Sequence, residues 1–195
     1  MTRDDSVNRK TTRRVFLAGT AAGGVAILAG CMGDEDVPDP ITLSDQSCEE
    51  CNMVINQHPG PVGQAFYDDI QELVGEDRDE DDPAWFCSTT CAYHFVFEQE
   101  GMGHEPQVIY ITDYSEVDWE VVGEDDASQI SAHLEAEHFA DVTDLTLVAD
   151  SDLEGAMGGS IIGFSDGDDA ADFMEEHGGV EITHDDVDRE LLSAL

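Results

Sequence analysis

Phe86-Cys87-Ser88-Thr89-Thr90-Cys91 marks a corner at which a predicted strand turns into a helix. Residues 83–86 form the short strand that leads into it. Ser88 is a residue type that caps helix N-termini with its hydroxyl oxygen, and apolar side chains recur at helical spacing over 89–100. We therefore predict a strand followed by a helix, with two cysteines placed at the corner between them.

The order of elements around this corner recurs later in the chain. Strands are predicted at 63–70, 83–86 and 107–112 around the first helix, and at 144–149, 159–164 and 179–182 around a second helix at 166–177. Both halves read β-β-α-β, which predicts an α+β protein built from two ββαβ units in tandem. The spacing of apolar residues in 124–138 predicts an inserted helix, and 185–195 a final short helix.

These patterns divide the chain into five segments. They are a signal peptide (1–30), a lipidated cysteine with an acidic linker (31–46), a first ββαβ unit with the cysteine motifs (47–117), an inserted acidic helix or loop (118–138), and a second ββαβ unit with the C-terminal helix (139–195).

The signal peptide is indicated by a twin-arginine motif, Arg13-Arg14, followed by an apolar run rich in glycine and alanine. This run ends in Leu28-Ala29-Gly30-Cys31, which is similar to a lipobox, and it is shorter than the roughly 20 residues that span a bilayer. We expect cleavage before Cys31, lipidation of that residue, and an exported protein anchored to the outer face of the cytoplasmic membrane.

The chain is strongly acidic, with a formal net charge of −39. Five of its seven basic residues lie in the predicted signal peptide, so the remainder is more acidic still. Such a surface repels nucleic acid, which excludes a nucleic-acid-binding function. High salt would screen the repulsion within the fold, and this charge balance is typical of a halophile's protein.

Four of the five cysteines form two close pairs, Cys48 with Cys51 and Cys87 with Cys91. Met53 adds a thioether two residues after the first pair. Thiolates and thioethers select soft metals such as Cu(I), whereas zinc has little use for a thioether. The alternatives are a four-thiolate zinc site, two structural disulfides, one disulfide beside a metal-binding thiol, and a thiol–disulfide redox protein.

Other candidate ligands are fewer. His58 lies in a His-Pro-Gly turn that could fold back toward the first cysteine pair, and Met157 stands in a glycine-rich segment that should leave its thioether reachable. His94 follows Cys91 by three residues on the same helical face, although a surface or packed role is the more common one for such a histidine.

Several of these stretches resemble the NosL family, the lipoprotein accessory factors of nitrous oxide reductase. The resemblance lies in the lipobox, in Cys48-Glu49-Glu50-Cys51-Asn52-Met53, in His58-Pro59-Gly60 and in Gly155-Ala156-Met157-Gly158. Two positions depart from the family pattern. Asn52 replaces a glycine, and Gly159 stands where many relatives have a histidine.

The resemblance implies a NosL-like α+β fold, Cu(I) binding, and copper delivery without catalytic turnover to an exported copper enzyme, nitrous oxide reductase, or to its assembly machinery. It implies Cys48, Cys51, Met53 and Met157 as ligands. The corner at Trp85-Phe86-Cys87-Ser88 is also similar to the metal-binding YHS and TRASH modules, which implies that Cys87 and Cys91 are ligands too.

Overall fold

The computed structural model describes residues 37–123 and 128–195, and its elements form a mixed α+β fold. In chain order the strands are β1 (Gly63–Phe66), β2 (Ala84–Phe86), β3 (Val108–Thr112), β4 (Val121–Val122), β5 (Gln129–Ile130), β6 (Phe139–Asp141), β7 (Thr146–Ala149), β8 (Ile161–Phe164) and β9 (Val180–Ile182). The α-helices are α1 (Ile70–Val74), α2 (Thr89–Met102), α3 (Gly167–His177) and α4 (Arg189–Ala194), and short 3₁₀ helices lie at Ile55–Gln57, Ala136–His138, Val142–Asp144 and His184–Asp186.

Two antiparallel sheets carry the fold. The first has the order β2-β1-β3-β6 and the second the order β8-β7-β9, while β4 and β5 form a separate short hairpin. In each sheet, the earliest strand is flanked by the next strand on one side and by the strand after the helix on the other. Helix α2 packs on the first sheet and α3 on the second, so that each helix covers one apolar face.

The two sheets meet at Gly163. A parallel bridge joins it to Asp113, and its carbonyl oxygen accepts a hydrogen bond of 2.9 Å from the backbone N–H of Tyr114. A Cβ atom at this position would lie 2.7 Å from Leu145 Cδ1 and 2.9 Å from Ile111 Cδ1. The absence of a side chain therefore lets the second sheet approach the core of the first closely.

Helix α2 begins as the sequence predicts. The Ser88 hydroxyl oxygen accepts a hydrogen bond of 3.0 Å from the backbone N–H of Cys91, and Gly103 ends the helix in the left-handed conformation. Phe95 and Val96 are buried against the sheet. This arrangement fixes Cys87 just before the helix and Cys91 in its first turn.

The predicted linker is wrong for its C-terminal part, because residues 41–46 pack against the folded domain. Leu43 is buried, and its backbone N–H donates a hydrogen bond of 2.8 Å to the carbonyl oxygen of Leu134. The buried amide side chain of Gln64 makes two hydrogen bonds of 3.0 Å to the backbone of Ile41. Cys31 and the signal peptide lie outside the described residues.

The predicted helix at 124–138 is also wrong for residues 128–138, and 124–127 lie outside the described residues. Ile130 is fully buried in an apolar cluster beneath α3, whereas Leu134 packs against the other cluster. The backbone of Ile130 bonds to Glu154 and Gly60. Ile130 and Leu134 thus have the spacing of a helix because each packs into a different apolar cluster, and not because the segment is helical. Because β6 joins the first sheet, the segment boundary predicted at 139 is displaced as well.

Two smaller differences complete the comparison. The strand predicted over 63–70 ends at Phe66, because the chain turns at Asp68-Asp69 and enters α1. Across the residues the structure describes, no helix combines the length and apolar character needed to cross a bilayer.

Candidate metal centre

The first cysteine pair lies in a tight, closed turn. The backbone N–H of Cys48 donates to the carbonyl oxygen of Met53, and that of Asn52 donates to Cys48, both at 2.8 Å. Asn52 has a φ of 62°, in the left-handed region that asparagine tolerates better than most residues. Asparagine can therefore close this turn, and Cys48 and Cys51 are held on one short loop.

This loop is fastened to β2 through Glu49. Its backbone N–H donates a hydrogen bond of 3.0 Å to the carbonyl oxygen of Trp85, and its carboxylate pairs with Arg78. The Arg78 guanidinium in turn lies 3.5 Å from the centre of the Trp85 ring. These contacts hold the first cysteine pair beside the corner that carries Cys87.

The two thiol pairs come together as one cluster. The Sγ atoms of Cys48, Cys51, Cys87 and Cys91 all lie within 4.8 Å of one another, and all four thiols are free. Cys51 Sγ is 3.3 Å from Cys87 Sγ, which is 3.9 Å from Cys91 Sγ. A tetrahedral four-sulfur site with bonds of about 2.3 Å has sulfurs about 3.8 Å apart. The spacing of the sulfurs is therefore close to that of a four-coordinate site for a thiophilic metal.

Hydrogen bonds within the cluster divide its protons unequally. The thiols of Cys87 and Cys91 donate to the sulfur of Cys48 and lower the pKa of Cys48, which favours its thiolate. The same interaction, together with burial, raises the pKa values of Cys87 and Cys91. The pKa of Cys48 is thus shifted in the opposite direction from those of Cys87 and Cys91, and a metal ion bound by the cluster would displace the thiol protons.

A cavity of about 350 Å³ leads from the cluster to the surface. Cys51 and Cys91 form its inner wall, while Glu50, His94 and Met157 are exposed toward its mouth. Met157 is 47% exposed, so its thioether is open to solvent as the sequence predicts. The cavity gives a metal ion a route to two of the four buried or half-buried thiols.

The other predicted ligands lie less directly at this site. Met53 is half-buried and packs against the apolar cluster that contains the cysteines, but it does not line the cavity. His58 ends the 3₁₀ helix at Ile55–Gln57 and does not line the cavity either. The structure therefore groups Met157, rather than Met53 or His58, with the cysteines at the cavity wall.

Part of the cavity wall comes from residues that the sequence did not indicate. Leu192 and Leu195 close one side, and the Thr90 hydroxyl donates a hydrogen bond of 3.2 Å to the carbonyl oxygen of Gly159. A Cβ atom on Gly159 would lie 2.5 Å from the carbonyl oxygen of Leu195. A side chain at this position would therefore need the C-terminal residue to shift. His94, which also lines the cavity, differs from these residues, because its helical spacing from Cys91 had indicated that it lies near the thiols.

Comparisons with known proteins identify the family of the chain. The NosL family profile matches residues 40–192. The chain is similar to the copper-binding lipoprotein NosL of Stutzerimonas stutzeri, with 29% identity over 169 residues that cover 85% of this chain and 76% of the relative. It is also similar to the crystal structure of the copper chaperone NosL from Shewanella denitrificans, with a TM-score of 0.59, 26% identity, and coverage of 75% of this chain and 92% of that one. The chain therefore belongs to the NosL family.

Proposed function

We propose that this protein binds Cu(I) at the four-cysteine cluster, with Met157 at the cavity mouth, and passes the ion to an exported copper enzyme. The observation that carries the proposal is the convergence of four free thiols within 4.8 Å of one another, two of which, Cys51 and Cys91, line an open cavity. A buried thiolate cluster holds a soft ion, and an adjacent opening allows a partner's ligands to reach it. Release then proceeds by ligand exchange and requires no catalytic turnover.

Copper is favoured over zinc by two observations. Both relatives named above are described as binding or delivering copper. The exposed thioether of Met157 is a ligand type that suits Cu(I) and adds little to a zinc site. Zinc remains the second candidate, because the spacing of the four sulfurs also fits a tetrahedral zinc site.

The partner that best fits this function is nitrous oxide reductase or its assembly machinery. Cys31 would carry the lipid anchor and hold the domain at the outer face of the cytoplasmic membrane, where exported copper enzymes receive their metal. The acidic surface would suit a salt-rich exterior and repel nucleic acid. The matching strand orders of the two sheets favour a duplicated ββαβ unit.

Metal analysis after purification under reducing, anaerobic conditions tests the proposal. We expect about one copper ion per chain and its loss on replacement of Cys51 and Cys91 by serine, since these two thiols face the cavity. The matched control is Met102→Leu, which removes an exposed sulfur at the far end of α2. Transfer is tested by mixing the copper-loaded protein with metal-free nitrous oxide reductase and measuring the copper bound by each after separation.

Each outcome separates the candidates. If the unmodified protein contains zinc rather than copper and keeps the zinc when copper is added, the result would favour a zinc-stapled interaction domain. No metal, together with rapid exchange of disulfides, would favour a redox protein. Copper that binds but never moves to the reductase would leave a storage function and remove the proposed partner.

A further inference from the structure

The cluster can supply electrons as well as ligands to a copper ion, because thiols are reductants as well as soft donors. Four thiols lie within 4.8 Å of one another, and two of them, Cys51 and Cys91, line the cavity together with Met157. Cys51 Sγ lies 3.3 Å from Cys87 Sγ, closer than the 3.9 Å between the sulfurs of Cys87 and Cys91. Cys51 is also the half-buried thiol of the cluster, so Cys51 and Cys87 are placed to react with an entering ion and to form a bond with each other.

The exposed and the buried residues of the cavity wall also offer different types of metal ligand. His94 and Glu50, which are exposed, offer an imidazole and a carboxylate, the ligand types that suit Cu(II). The inner wall offers thiols, which suit Cu(I). Of the four clustered thiols, only Cys51 is half-buried rather than buried, so it is the first that an entering ion meets.

We propose that the cavity accepts Cu(II) and reduces it during loading, with Cys51 and Cys87 as the electron donors. This inference rests on the proposed copper-binding function and adds an activity to it. Two Cu(II) ions each take up one electron. The S–H bonds of Cys51 and Cys87 break, a single Sγ–Sγ bond forms between them, and two protons leave to solvent. The products are two Cu(I) ions and one disulfide.

The remaining two thiols keep one of the Cu(I) ions. Cys48 and Cys91 stay within 4.8 Å of each other, and Cys91 lines the cavity next to Met157. The second Cu(I) ion leaves through the cavity mouth. The disulfide would join the first cysteine loop to the corner between β2 and α2, two segments that already touch through the hydrogen bond from Glu49 to Trp85.

The experiment uses the full chain with Cys31→Ser, so that only the four clustered thiols remain, fully reduced and under anaerobic conditions. Cu(II) is added, Cu(I) is measured with a Cu(I)-specific chelating dye, and free thiols are counted after removal of copper. Cleavage after acidic residues separates Cys48 from Cys51, and fragmentation of the linked peptides by tandem mass spectrometry distinguishes Cys87 from Cys91, between which no acidic residue lies. We expect two Cu(I) ions formed and two thiols lost per chain, with Cys51 linked to Cys87.

Variants make the test specific. Cys51→Ser and Cys87→Ser should each slow the reduction of Cu(II) at least about tenfold, because each removes one of the two linked sulfurs, whereas Met102→Leu should leave the rate unchanged. Circular dichroism of each variant checks that it is folded. His94→Ala should weaken the initial Cu(II) encounter without changing the identity of the disulfide.

Three outcomes would overturn the inference: Cu(II) bound without loss of thiols, a disulfide confined to Cys48–Cys51 or Cys87–Cys91, or equal rates in the serine variants. Loading with Cu(I) from an anaerobic donor separates this inference from the proposed function. If Cu(I) still binds while Cu(II) is not reduced, only the reduction step is wrong. If Cu(I) does not bind either, the copper-binding function itself is wrong.

Discussion

Replacement of Cys87 by serine distinguishes a four-thiol copper site from one built on the first cysteine pair alone. Cys87 is fully buried, and its Sγ lies within 4.8 Å of the other three. Four-ligand zinc sites in small peptides bind with about 10–16 kcal/mol, so one donor of four contributes about 2.5–4 kcal/mol. At about 1.4 kcal/mol per factor of ten, Cys87→Ser should weaken Cu(I) binding by about two to three orders of magnitude.

The assay is an anaerobic competition between the protein and a chromophoric Cu(I) chelator of known affinity. Cys48→Ser should cause a comparable loss, since its sulfur belongs to the same cluster. Met102→Leu should cause none, because Met102 is 61% exposed and does not line the cavity. Thermal unfolding of the metal-free variants identifies any folding defect. If Cys87→Ser folds and changes the affinity by less than about threefold, the second cysteine pair is not part of the copper site.

Four further predictions concern the packing of the fold, the cap of α2, and the thiol protons and copper binding of the cysteine cluster. Leu43→Ala should lower the free energy of unfolding by about 2–4 kcal/mol in urea titrations, because Leu43 is buried. The control, Val37→Ala at an exposed position, should change it by less than about 0.5 kcal/mol. Equal effects of the two substitutions would contradict the packing of residues 41–46. Ser88→Ala should cost about 1 kcal/mol in the same measurement, because it removes the oxygen that caps α2; full stability of the alanine variant would contradict the cap. Copper binding should release protons into a weakly buffered solution, and the copper affinity should fall as the pH falls. The reason is that the raised pKa values of Cys87 and Cys91 keep both thiols protonated in the metal-free protein. Copper uptake without proton release would show that these thiols do not bind copper. Free Cu(I) at 100 times its dissociation constant should stabilise the fold by about 2.7 kcal/mol in a thermal or chemical unfolding assay, and an unchanged unfolding transition would mean that the unfolded chain binds copper equally well.

Local patterns were sufficient for the elements next to the site. The capping serine, the apolar face of the helix and the short strand before it are all encoded within about 15 residues, and α2 begins at Thr89 as the sequence predicts. The spacing of each cysteine pair likewise indicated that its two thiols lie close together. These features depend on interactions between residues near in sequence, which a periodicity or a capping rule describes directly.

Contacts between distant segments could not be read from the sequence in the same way. Leu43 lies in an acidic stretch with prolines, and only its packing beside Leu134 shows that it belongs to the core. Ile130 and Leu134 have the spacing of a helix although they serve different apolar clusters. In the same way, the wall that Leu195 contributes to the cavity depends on how α4 lies against α2, which no local pattern specifies.

The indole of Trp85 is placed to act as a fluorescent reporter of copper binding at the metal centre. It lies beneath the Arg78 guanidinium, and its backbone carbonyl holds the loop of the first cysteine pair, two residues before Cys87. The only other tryptophan, Trp119, packs against Phe173 in the second apolar cluster. A Trp119→Phe protein would therefore carry a single fluorophore beside the thiols, and quenching of its emission would report the arrival and departure of copper in real time.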